Sequence, residues 1–126
     1  MWRCVFLAAL FAVGFGFMTG GLTDIDSHDA AVLGALKYAV QTHNNRSNDM
    51  YVSQVTEVIR AQSQVVTGVN YIITVKMART SCRKGRDNEV CSALTDPQLA
   101  QPYQCKFSVW SRPWLNEMTV LEEKCN

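Results

Sequence analysis

Two kinds of hydrophobic spacing divide the chain. From His28 to about Asn44, Val32, Leu36, Ala39, Val40 and His43 recur at intervals of three and four, which predicts a helix with one buried stripe. Asp26 or Ser27 can cap its start, and the polar run Asn44 to Asn48 supplies a stop. From Met50 the period falls to two. Tyr51, Val55 and Ile59 mark the covered face of one predicted strand, and Val69, Tyr71, Ile73, Val75 and Met77 mark that of a second. Between them, Gln64-Val65-Val66-Thr67-Gly68 reads as a tight hairpin in which Gly68 can adopt a positive φ at little cost.

The stretch from Thr80 to Tyr103 is polar, contains Gly85, Pro97 and Pro102, and predicts a loop region without a strong helix or strand signal. Alternation then returns at Cys105, Phe107 and Val109. Ser111 to Asn116 turns around Pro113, and Met118, Val120 and Glu122 alternate toward Cys125, giving a second hairpin. A helix followed by four antiparallel strands is an α+β arrangement in which the sheet buries one face on the helix.

At 126 residues the chain holds one domain. Met1-Trp2-Arg3, the apolar run from Cys4 to about Val13 and the small residues Gly14 and Gly16 have the layout of a secretory signal peptide, too short and glycine-interrupted for a membrane span. Residues 1–19 are therefore read as a leader cut between positions 16 and 20, and residues 20–126 as the domain of a secreted, extracellular protein. Losing Arg3 leaves 11 basic side chains against 11 acidic ones. That near-neutral balance, without a basic stripe, gives no support for nucleic acid or a membrane surface as partner.

The leader also removes Cys4, and Cys82, Cys91, Cys105 and Cys125 remain. An even count behind a leader implies disulfides. Three pairings are open, of which Cys82 with Cys91 and Cys105 with Cys125 is the most economical along the chain. No C-x-x-C pair suggests a metal site, and no cofactor motif is present. The two histidines, His28 and His43, both fall in the predicted helix, and no nucleophile and base pair is identifiable. The chain reads as a non-enzyme.

With these elements in order, the chain resembles the type 2 cystatins from Gly20 to Cys125. The features that carry the resemblance are Gly20 ahead of the helix, the Q-x-V-x-G loop Gln64 to Gly68, Pro113-Trp114 in the second hairpin, and the four late cysteines. Ser47-Asn48-Asp49-Met50-Tyr51, Gly68-Val69-Asn70-Tyr71 and Ala78-Arg79-Thr80-Ser81-Cys82 read like the family as well.

The resemblance implies a cystatin-like fold, one long helix packed across a curved antiparallel sheet. It also implies reversible, noncovalent, tight-binding inhibition of papain-like cysteine proteases such as cathepsin L-type enzymes. Gly20, Gln64, Val65, Val66, Thr67, Gly68, Pro113 and Trp114 are the residues expected to meet the protease. Met18 and Thr19 precede Gly20 where the family usually carries a larger aliphatic residue. Some relatives also inhibit legumain-type asparaginyl proteases through an asparagine after the helix, a position matched here by Asn48. Asn45-Arg46-Ser47 is a glycosylation sequon in a predicted surface loop, where a glycan on Asn45 would crowd Asn48. The expected form is a monomer, with dimerisation by domain swapping open to the fold. The rival expectation is a non-inhibitory secreted binding or antimicrobial protein on the same scaffold.

Overall fold

The computed structural model describes residues 21–85 and 91–126; the predicted leader and Gly20 lie outside them. Among the described residues the elements run β1 (Thr23–Asp24), α1 (Ala30–Arg46), β2 (Tyr51–Val66), β3 (Gly68–Arg83), α2 (Pro97–Ala100), β4 (Tyr103–Arg112) and β5 (Glu117–Cys125). The strands form one antiparallel sheet in sequence order. Helix α1 crosses it, setting Val32, Ala35, Leu36 and Ala39 against Ala61, Ile73, Val75, Met77, Phe107 and Val109. The predicted α+β arrangement is the observed one. Removing side chains such as Phe107 and Ile73 from water stabilises the domain by about 1.5–3 kcal/mol each.

Helix α1 starts and stops slightly later than its pattern predicts. Asp29 caps it, accepting the Ala31 N–H at 2.9 Å. Asp26 instead accepts the His28 N–H at 2.9 Å in the preceding turn, so His28 stands outside the helix. At the far end, the Ser47 N–H reaches the His43 carbonyl at 3.0 Å. Asn45 therefore sits in the last helical turn and not in a loop. Beside it, Asn44 uses both ends of its amide on the backbone of Ser53, donating at 3.0 Å and accepting at 2.9 Å. His43 is half-buried between Glu123 Oε2 at 3.0 Å and the Tyr103 hydroxyl at 2.8 Å, which ties the helix to β4 and β5.

Strand β2 carries register shifts between Tyr51 and Ser53, Val55 and Glu57, and Val58 and Arg60. At the first of these the longer run belongs to β3, whereas Thr56 and Ile59 are extra residues of β2, and each of those two exchanges the inward and outward faces and bends the strand. The packed positions become Ser53, Val55, Val58 and Ala61, while Ile59, expected on the covered face, is 43% exposed. A further shift at Ser108 and Val109 leaves Leu121 as the extra residue of β5. Glu123 consequently takes the half-buried place expected of Glu122.

The Thr80 to Tyr103 stretch is more ordered than its composition suggests. Strand β3 continues to Arg83 with Thr80 and Cys82 buried. Asp96 caps α2 by accepting the Gln98 N–H at 3.0 Å, with Pro97 at the first helical position. The disulfides join Cys82 to Cys91 and Cys105 to Cys125, the economical pairing. Each stabilises the fold by about 2–4 kcal/mol, chiefly by restricting the unfolded chain. The strand absent from the pattern is β1, whose two residues are too few to show a period. It lies opposite Ser63 and Gln62, with Asp24 bonded to Arg60 Nε at 3.0 Å.

Candidate functional site

Three chain segments converge at one end of the sheet. Antiparallel pairing of Thr23 with Ser63 directs the residues before it, Leu22 and Gly21, toward Gln64. The first hairpin is tighter than expected: Gln64, Val65 and Val66 belong to β2, pairing with Asn70, Val69 and Gly68, which leaves Thr67 at the turn. The second hairpin is a short 3-10 turn, Pro113–Leu115, with proline at its start and Asn116 closing it at φ 51° in the left-handed region.

Pairing of Val69 with Ser111 sets the two tips side by side. Gly68 has φ +90°, and a Cβ built there would stand 2.4 Å from the Ser111 carbonyl oxygen. Only glycine fits both the dihedral and the contact. The Trp110 indole N–H donates to the Thr67 carbonyl at 2.7 Å, bonding one hairpin to the turn of the other. The Arg112 guanidinium lies 4.2 Å from the centre of the Trp110 ring and pairs with Glu117 across the base of the second turn.

What this frame presents is apolar. Val65 is 72% exposed and Trp114 60%, with Val66, Leu115 and Leu22 exposed alongside. Apolar groups gathered on a braced edge mark a contact surface for another macromolecule. The structure thus brings together Gln64, Val65, Val66, Thr67, Gly68, Pro113 and Trp114. Trp110 and Arg112 are additions. Their signal in the sequence is a large aromatic and a cation on the face of β4 opposite Phe107 and Val109.

Asn48 lies apart, beyond the C-terminal end of α1 and at the opposite end of β2 from Val66. It is exposed between two anchored neighbours. The Asp49 N–H donates to Ser47 Oγ at 3.0 Å, and the Asp49 carboxylate accepts the Tyr51 N–H at 3.0 Å and pairs with Arg79 at 2.8 Å. Partial burial pushes the Asp49 carboxyl up, but the Tyr51 N–H and the Arg79 charge outweigh it, so its pKa lies below the ordinary 3.8. A lowered folded-state pKa supplies stability above the unfolded value and loses it as pH falls through the folded one. The Tyr51 amide should therefore keep its exchange protection from pH 7 to pH 5 and lose it only below about 3.8. Loss of protection already at pH 5 would contradict this account of the loop.

Among the described residues, His43, Cys105 and Cys125 bring potential ligand atoms within 4.8 Å of one another, but the two sulfurs are bonded together and offer no thiolate. The Cys82 and Cys91 sulfurs are likewise joined. The half-buried His43 therefore has no thiol nucleophile beside it to activate.

A sheet on one helix, with apolar tips braced at one end, presents a contact surface to another macromolecule. A Cystatin domain model matches residues 20–114. The chain is 57% identical to the Cystatin-C of Paralichthys olivaceus over 94% of each chain. It is 45% identical to a Cystatin of Oncorhynchus keta, over 98% of this chain and 97% of that one. Among solved structures, dimeric human cystatin F superposes with a TM-score of 0.77 at 33% identity, covering 86% of this chain and 87% of that one. The chain belongs to the cystatin family. It is an inhibitor of cysteine proteases and not an enzyme.

Proposed function

We propose that this inhibitor is secreted after removal of a leader ending between positions 16 and 20 and acts on papain-like proteases, cathepsin L-type enzymes among them. It fills the active-site cleft as a wedge, reversibly and without covalent chemistry. Gly20 and the residues around it form one part of the wedge, Gln64 to Gly68 the second, and Pro113-Trp114 the third. The observation that carries the reading is the set of exposed apolar tips, Val65, Val66 and Trp114, on hairpins joined by the Trp110 to Thr67 bond. Burial of such side chains in a cleft supplies affinity, and the rigid turns lower the entropy lost on binding. Exchange of α1 and β2 between two chains would open the first turn, so the monomer is the inhibitory form.

Asn48 is the residue of a second site, for legumain-type asparaginyl proteases. Its support is exposure in a loop held on both sides by Ser47 and Asp49. Such a protease reads asparagine, and a fixed loop offers it without the freedom that cleavage needs.

Titration of papain with the refolded mature chain tests the main reading. Residual activity should fall linearly to an end point near one inhibitor per enzyme and return on dilution. A correctly disulfide-bonded monomer that leaves papain fully active would instead favour a scaffold turned to other binding.

A further inference from the structure

The histidine near the end of α1 faces more than its two hydrogen-bond partners. Cys105 and Cys125 stand directly opposite each other on β4 and β5. Their sulfurs and a ring nitrogen of His43 lie within 4.8 Å of one another. Cys105 is fully buried, whereas Cys125, at the end of β5, is exposed and gives a reductant a way to the bond. Glu123 completes the group. Its Oε2 is 3.0 Å from His43 Nδ1, and its Oε1 is buried without a hydrogen-bond partner. A carboxylate oxygen in that condition costs stability unless a positive charge comes near it. Phe107 supplies an apolar wall, its ring meeting that of His43 edge-on with the centres 6.1 Å apart.

While the sulfurs are bonded to each other neither is a metal ligand. Reduction changes the chemistry, because two thiolates and an imidazole are a donor set for zinc. With Zn–S near 2.3 Å and Zn–N near 2.0–2.1 Å, the ligand atoms of a tetrahedral site lie about 3.3–3.8 Å apart. Rotation of the three side chains reaches that spacing once the sulfurs are free to part. Metal on Nε2 leaves the Nδ1–H donating to Glu123 Oε2, the carboxylate–histidine arrangement that fixes the ring and raises its basicity. The Tyr103 hydroxyl then gives up Nε2. Burial holds the Tyr103 pKa above the ordinary 10.0, so this side chain stays a neutral phenol and water takes the fourth position.

We infer that, when a dithiol reduces the bond between Cys105 and Cys125, their thiolates and His43 bind one zinc ion, which replaces the disulfide as the clamp between α1, β4 and β5. In the first step the dithiol gives two electrons and two protons to the sulfur–sulfur bond and is itself oxidised to a disulfide. Zinc then displaces the two thiol protons, so a dication meets two thiolates and a neutral imidazole, with the Glu123 carboxylate beside them. The clamp sits at the end of β4 and β5 away from the second hairpin. Holding that end preserves the apolar tips at the other, so the zinc-loaded chain remains an inhibitor under reducing conditions.

The test uses the mature chain, and a second preparation with Cys82→Ser and Cys91→Ser in which only one sulfur pair remains. Each is reduced with a phosphine, freed of it without air, and titrated with Co2+ as a spectroscopic probe and then with Zn2+. In the serine variant one Co2+ per chain should bring the thiolate-to-cobalt charge-transfer absorption and the intense visible bands of a tetrahedral site, and Zn2+ should abolish both. Zinc should raise the melting temperature of the reduced chain and leave papain inhibition as strong as in the disulfide form. Glu123→Gln should weaken zinc binding about tenfold or more. His43→Gln should weaken it further while the oxidised variant still inhibits papain. A reduced chain that takes up no cobalt, whether it stays folded or unfolds and is not recovered by zinc, overturns the site. Equal affinity in wild type and His43→Gln overturns His43 as a ligand. Papain inhibition lost although zinc is bound overturns the clamp, and inhibition by the oxidised chain stands apart from all three results.

Discussion

Gly68→Ala should weaken inhibition of papain by about a hundredfold or more and lower the melting temperature measurably. Two separate penalties meet at this position. The residue sits at φ +90°, where a Cβ costs about 1–2 kcal/mol. The new methyl would also stand 2.4 Å from the Ser111 carbonyl oxygen. That oxygen is part of the β4 backbone and cannot swing aside, so the hairpins must part, and crowding of this kind costs about 1–3 kcal/mol. Separating the tips displaces Val65 and Val66 from Trp114, and a hundredfold loss corresponds to about 2.7 kcal/mol of binding. Trp110→Phe provides a milder arm. It removes the indole N–H donated to Thr67 while keeping an aromatic ring under Arg112. One neutral hydrogen bond is worth about 1 kcal/mol, so a roughly fivefold weakening with little change in melting is expected. A Gly68→Ala protein that inhibits like the wild type would show that the spacing of the two hairpins does not govern binding.

Trp114→Ala should raise the inhibition constant about thirtyfold or more, some 2 kcal/mol, while the melting temperature stays within a degree or two of the parent. The side chain is 60% exposed and lies outside the core built around Phe107 and Ile73, so folding asks little of it. An exposed tryptophan on a short turn that begins with proline brings a large apolar area to an interface at small entropic cost. A matching fall in stability would instead mean that Trp114 packs within its own hairpin and that the loss of inhibition is indirect.

Much of this arrangement is legible in the sequence. The stripe Val32, Leu36 and Ala39, and the alternations Ile73, Val75, Met77 and Cys105, Phe107, Val109, all lie in the core because each segment keeps one period over its length. Where the period breaks, the pattern misleads. Alternation puts Ile59 and Glu122 on faces that bulges in β2 and β5 exchange, and a bulge is set by pairing across strands that a single segment does not display. Strand β1 is too short to alternate, and α2 was hidden in a stretch rich in turn formers although Asp96-Pro97 is a sound helix start. The hairpin tips were readable as motifs. Their brace was not, because the contacts from Trp110 to Thr67 and from Ser111 to Gly68 join residues about forty positions apart.

The central claim is that the chain blocks a cysteine protease by occupying its cleft and not by reacting with its thiol. Binding of the mature chain to papain whose active-site cysteine has been alkylated with a small reagent tests it most directly. A wedge held by Val65, Val66 and Trp114 should still form a one-to-one complex with the alkylated enzyme, and intact mass after dissociation should show an uncut, unmodified inhibitor. Loss of all binding on alkylation, together with a covalent adduct or a cleaved chain recovered from the active enzyme, would contradict the account.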